Sequence, residues 1–194
     1  MGSVTVDDID KLRLVNRLKS VYRSSSVGDR KESSAEHSWA CLVLADFLIS
    51  KLYPDGGIDR LKVYELLLYH DLVEIEVGDT PLSPFKDYDR SEKRRKELAA
   101  AESLSKKLPS PLSSKFLSLF TEFEEQRTLE SRFARAVDQL EGEIHEIDYK
   151  DDWKGWTEEF LVSKKGAFFD DFPELKELFF DLVRFFRENG YFSE

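Results

Sequence analysis

The chain has 194 residues, 41% hydrophobic and 35% charged, with a formal net charge of −10. That length fits one domain with a sizeable core, the composition excludes a disordered chain, and the acidic balance argues against a nucleic-acid-binding surface. A single cysteine, Cys41, excludes an internal disulfide and a thiolate metal cluster and suits a reducing cytoplasm.

The opening stretch "MGSVTVDDIDKLRLV" lacks the apolar centre of a signal peptide, and no apolar run approaches the length of a membrane span. A cytoplasmic protein without membrane association is expected. Over residues 7–22, Ile9, Leu12, Leu14, Val15 and Leu18 recur at helical steps. The polar segment "SSSVGDRKESS" reads as a loop. Ser33 and Ser34, with Glu36 close behind, suit the start of a second helix reaching about Tyr53. "PDGG" breaks the chain, and a third helix begins near Ile58, carrying Val63, Leu66, Leu67 and His70.

"GDTPLSP", residues 78–84, reads as a loop. Residues 88–107 are strongly charged with an alanine run, the pattern of a solvated helix. "PSP" at 109–111 opens another helix. A further one covers about residues 130–147, with Phe133, Val137, Leu140 and Ile144 on one face. The remainder is rich in aromatics, among them Trp153, Trp156, Phe160, Phe179, Phe180, Phe185 and Phe186. No alternation is long enough for a convincing sheet, and neither a repeat nor a low-complexity linker interrupts the pattern. The expected fold class is all-α, one compact helical bundle over residues 1–194. The aromatic helices at 153–190 pack on the core or on a second subunit.

Polar residues at the edge of these helices carry the chemistry. On one continuous helix His70 and Glu74 stand at i and i+4, and Asp71 and Glu74 at i and i+3, so all three can face one cleft. Glu76 and Asp79 add negative charge that repels unless protons or a cation offset it. His37 lies early in the second helix. Asp138 lies mid-helix beside Val137, a costly place for a carboxylate unless it is paired with an arginine such as Arg135 or binds metal. Two imidazoles and two carboxylates suit Co, Mn, Zn, Fe or Ni, and suit Mg less.

His37, then His70-Asp71, then Asp138 matches the H…HD…D signature of the HD-domain metal-dependent phosphohydrolases. "LRLVNRLKSVYR", "ESSAEHSWA", "YHDLVEIEVGDTP" and "EFEEQRTLESRFARAVDQLEG" resemble the branch that contains the bacterial 5′-deoxynucleotidases and related small HD-domain proteins. The resemblance runs from about residue 12 to 141. It implies an HD-domain helical bundle in which His37, His70, Asp71 and Asp138 hold one divalent transition metal. The implied activity is phosphate removal from nucleoside 5′-monophosphates by metal-activated water. Glu74 matches the family's general acid/base, and Arg23 its phosphate-orienting arginine, with Arg30 and Lys31 as rivals. Asp79, Thr80 and Pro81 match a loop that touches the nucleoside.

Charge balance makes the same demand for an arginine, because two aspartates neutralise a divalent ion and leave a phosphate dianion uncompensated. In the bacterial deoxynucleotidases a tryptophan follows the phosphate-orienting arginine and helps to exclude ribose. Ser24, Ser25 and Ser26 follow here, which puts the sugar preference in question. Relatives are often dimers, so a homodimer is expected. Alternatives are another nucleotide substrate (a triphosphate, a cyclic nucleotide or an alarmone) and a non-catalytic nucleotide-binding scaffold. His145 and Cys41 read as structural.

Overall fold

The computed structural model describes residues 3–85 and 90–193. Its first helix, α1 (Val6–Leu12), starts at a capping box in which Thr5 and Asp8 satisfy each other's backbone N–H groups. The expected single helix over 7–22 is shorter than that: the chain tightens into a 3₁₀ helix at Arg13–Ser20. Three residues per turn align Val15 with Leu18, and with Leu14 they pack onto one of the two hydrophobic clusters.

The segment expected to be a loop is instead a small β-hairpin, set in a fold that is all-α otherwise, as expected. Strand β1 (Tyr22–Val27) pairs antiparallel with β2 (Arg30–Ser33), in register Tyr22↔Ser33, Ser26↔Lys31 and Val27↔Arg30. A two-residue Gly28-Asp29 connection joins them, with Gly28 at φ +59, as turns matched to strand twist require. Polar "SSS" hides the strand because its burial comes from side-chain bonds to distant residues. Ser26 N–H and Oγ–H donate to Asp152 at 2.7 and 2.9 Å, and His145 Nε2–H donates to the Ser26 carbonyl at 2.8 Å.

Helix α2 (Ser34–Leu52) begins at a capping box formed by Ser33 and Glu36. Asp59 caps α3 (Arg60–Tyr69). A short α4 (Glu74–Val77) leads into the loop at 78–85, and α5 (Arg90–Ser105), α6 (Leu112–Glu125) and α7 (Leu129–His145) follow. Residues 88 and 89 of the charged segment lie outside the described residues. Helices α8 (Glu158–Lys165) and α9 (Pro173–Glu188) complete the chain, the latter with proline at its first turn.

Helices α2, α3 and α7 pack against one another. Cys41, Ala45 and Ile49 meet Val63, Leu66 and Leu67, and Phe133, Val137 and Leu140 close the core from α7. Phe179 and Phe186 of α9 enter the same cluster, where Trp153 lies 4.3 Å from the Phe186 ring. Phe180 and Phe185 remain exposed. The polar signature residues therefore sit where three helices converge on a dry core.

Candidate active site

His37 and His70 are buried, and each has one ring nitrogen committed. His37 Nδ1–H donates to Glu141 Oε2 at 2.5 Å, and His70 Nδ1–H donates to the Leu67 carbonyl at 2.7 Å. Both therefore present the lone pair of Nε2. His37 Nε2 is 3.0 Å from Asp138 Oδ1 and 4.0 Å from Asp71 Oδ2; His70 Nε2 is 3.2 Å from Asp71 Oδ1 and 3.6 Å from Asp138 Oδ1. Two donors each ~2.1 Å from one ion stand ~3–4 Å apart. Among the described residues His70 Nε2 and Asp71 Oδ2 are buried without a hydrogen-bond partner. Orphaned buried polar atoms are costly, and a divalent cation satisfies both. The donor set of two imidazoles and two carboxylates fits such an ion.

Asp138 is fixed from behind. Gln139 Nε2–H donates to its Oδ2 at 2.9 Å and Arg135 lies 3.4 Å away, which turns Oδ1 toward the imidazoles. The Arg135 ion pair thus exists alongside the cluster rather than instead of it. Cys41 Sγ sits 3.5 Å from His37 Nε2, and burial pushes its thiol up to about 12.

The expected continuous helix through His70 and Glu74 does not form. Helix α3 ends at Tyr69, and residues 70–73 turn through i→i+3 bonds such as Glu74 N–H to the Asp71 carbonyl at 2.9 Å. The tighter turn still brings Asp71 and Glu74 to one cavity. Glu74 is 5% exposed, no surface carboxylate. Ser34 Oγ–H donates to its Oε2. Burial, then the charges of Asp71 and Asp79, push the carboxyl up to about 9.

Arg23 lies on β1 rather than at the end of a helix. Its Nη1 is 3.5 Å from Asp71 Oδ2, and its Nε is 3.2 Å from Glu32 Oε2, an ion pair without hydrogen-bond alignment. Of the rivals, Arg30 is paired with Glu36 at the exposed hairpin end and Lys31 reaches Asp152 at 3.4 Å. Neither lines the cavity, whereas Arg23 does. The cavity is about 440 Å³, within the range of small-molecule sites. Asp79, Thr80 and Pro81 form one wall, and Trp153, Trp156 and Phe168 another. Trp39, 68% exposed, belongs to a different groove.

Sequence reasoning missed Glu141, Gln139 and Glu146. Their signal was present in the spacing: Glu141 follows Asp138 by three residues on α7, and Glu146 stands just past the end of that helix.

The chain resembles known proteins over most of its length. It is 31% identical over 172 residues to the 5′-deoxynucleotidase HDDC2 of Xenopus laevis, covering 86% of this chain and 81% of that one. It is 32% identical over 176 residues to the Bos taurus 5′-deoxynucleotidase HDDC2, covering 88% and 82%. A crystal structure described as a predicted metal-dependent phosphohydrolase from Magnetospirillum magnetotacticum superposes with a TM-score of 0.82 at 29% identity, over 97% of this chain and 95% of that one. The sequence profile of the HD domain matches residues 15–176, and the chain belongs to the HD-domain family.

Proposed function

We propose that the protein is a metal-dependent phosphohydrolase that removes phosphate from nucleoside 5′-monophosphates, deoxyribonucleotides among them. The observation that carries this is the convergence of His37, His70, Asp71 and Asp138 on one point beside the buried Glu74 and an arginine. The relatives named 5′-deoxynucleotidases support the substrate class.

The four converging residues are the proposed ligands of one divalent ion, with Co, Mn, Zn, Fe or Ni suited to the nitrogen–oxygen set and Mg less so. Such an ion supplies Lewis acidity to a phosphoryl oxygen and lowers the pKa of water. Arg23 binds phosphate oxygens through the guanidinium face that Glu32 and Asp71 hold in place. Glu74 holds a proton on its carboxyl, and that proton passes to the 5′-oxygen as the bond from that oxygen to phosphorus breaks. A proton from the attacking water restores the acid. Asp79, Thr80 and Pro81 contact the nucleoside. A volume of about 440 Å³ supports one nucleotide rather than a larger alarmone.

Glu74→Gln tests the assignment: metal content stays, and turnover falls ~10²–10⁴-fold, the usual worth of a positioned acid or base. Unchanged turnover removes Glu74 from the chemistry.

A cytoplasmic location is part of the same proposal, supported by a cysteine that is buried and free. Among the described residues no helix is long and apolar enough to cross a membrane. A homodimer is supported by an apolar groove of about 620 Å³ between α2 and α3, with Trp39 and Leu61 more than half exposed. Sedimentation of Leu61→Asp tests it: a dimer shifts to monomer, and an unaltered state assigns the groove no part in assembly.

A further inference from the structure

Arg23 stands between two carboxylates with different roles. Its Nη1 is 3.5 Å from Oδ2 of Asp71, a proposed metal ligand, and its Nε is 3.2 Å from Oε2 of Glu32, which is outside the ligand set. Neither contact is aligned as a hydrogen bond: Arg23 Nε and Asp71 Oδ2 are both buried without such a partner. Charge, and the backbone that carries the side chains, hold the guanidinium there.

The hairpin sets this arrangement. Arg23 on β1 and Glu32 on β2 each lie one residue from the Tyr22↔Ser33 pair, which brings them side by side across the strands. Ser33, the next residue after Glu32, caps α2, the helix that carries His37. Glu32 is 3% exposed. Its Oε1 lies 3.9 Å from His145 Nδ1, beyond hydrogen-bond reach. Arg23 is therefore the close cation of a carboxylate that is costly to bury unpaired.

Arg23 and a divalent ion are rival cations for Asp71. With nothing opposing its charge, an arginine this near to a ligand carboxylate repels the ion and draws Asp71 Oδ2 toward itself. The Glu32 carboxylate opposes that charge from the other side of the guanidinium.

We propose that Glu32 is a positioning residue for the metal centre: it holds and neutralises Arg23, so that Asp71 stays available to the ion while the guanidinium remains in the cavity for phosphate. This role rests on the metal centre proposed for His37, His70, Asp71 and Asp138. Glu32 acts through Arg23 and not as a ligand. An ion pair that only staples the hairpin weakens the site alike when either member is lost. A guard for Asp71 gives changes of different sign for the two members.

Cobalt affinity, measured by competition with a chromogenic chelator, is compared for the parent, Glu32→Gln, Arg23→Gln and the double variant. Glu32→Gln is expected to lose ~10–100-fold, the usual cost of removing a partner that supports a ligand. Arg23→Gln is expected to bind cobalt at least as tightly as the parent, because the rival cation is gone. In the Arg23→Gln background the loss caused by Glu32→Gln is expected to shrink at least ~5-fold, a coupling typical of residues in contact. Arg23→Gln that weakens binding as much as Glu32→Gln does, or a Glu32→Gln loss of equal size in both backgrounds, makes the pair a staple and overturns this role for Glu32. Parent-like affinity in Glu32→Gln overturns it as well. Thermal unfolding of the metal-free proteins checks folding, and if Glu32→Gln does not fold, the sign of the Arg23→Gln change decides alone. A parent that binds no cobalt overturns the metal centre itself, whereas cobalt binding with uncoupled variants overturns only the role of Glu32.

Discussion

His37 donates its Nδ1–H to Glu141 Oε2 at 2.5 Å while its Nε2 stands 3.0 Å from Asp138 Oδ1. Glu141 thereby sets the tautomer of a proposed ligand without reaching the ion. A carboxylate behind a ligating imidazole also raises its basicity. Glu141→Gln keeps the shape and weakens that support, so metal affinity is expected to fall on the order of 10-fold. Competition with a chromogenic chelator measures it. Unchanged affinity makes Glu141 a packing residue only.

The loop at 78–85 is seated by a close approach. Gly155 has φ +81, and a Cβ there would stand 1.9 Å from Phe85 Cζ. Gly155→Ala must displace the tip of the Phe85 ring, a residue at the end of the loop that carries Asp79, Thr80 and Pro81. The KM is expected to rise, with metal content unaltered. Adding Phe85→Ala removes the clash and recovers part of the loss, although the unfavourable φ remains. Equal kinetics in the single variant and the parent detach this loop from substrate binding.

Two buried carboxyls give stability a pH dependence of defined sign. Glu146 is pushed up to about 7 by burial and Glu143, and Glu74 to about 9 by burial, Asp71 and Asp79, against an ordinary value of 4.5. The folded chain binds both protons more tightly than the unfolded chain does. Their stabilisation is complete below about pH 4.5, and is lost as pH rises through about 7 for Glu146 and about 9 for Glu74. Thermal unfolding of metal-stripped protein reads this out. Glu146→Gln removes its share of the fall between about pH 4.5 and 7, and Glu74→Gln its share between about pH 4.5 and 9. Curves parallel to the parent's contradict the proton assignments.

Much of this site was legible in the chain. His37, the His70-Asp71 pair and Asp138 lie far apart in sequence on apolar helices or at the end of one; the cost of burying a carboxylate marked Asp138, and the H…HD…D resemblance gave the order of the set. The hairpin was not legible. "SSSV" is held by Asp152, Glu146 and His145, all more than a hundred residues away, and local periodicity carries no record of such partners. The turn at residues 70–73 was hidden too, because "YHDLVEI" keeps helical composition while its bonding shortens to i→i+3. Glu141 and Glu146 carry no distinguishing local pattern, because carboxylates are ordinary composition on and beside an amphipathic helix.

We propose that His37, His70, Asp71 and Asp138 assemble the centre of a metal-dependent phosphomonoesterase. The most direct measurement is phosphate release from ribo- and deoxyribonucleoside 5′-monophosphates by metal-stripped protein re-supplied in turn with Co, Mn, Zn and Mg, beside His70→Ala. Release is expected to require the ion, to be weakest with Mg, and to disappear in the variant. The ribonucleotides show whether the site beside Ser24 admits a 2′-hydroxyl. Folded, metal-loaded protein that releases no phosphate from any of these substrates, or release that His70→Ala leaves intact, contradicts it.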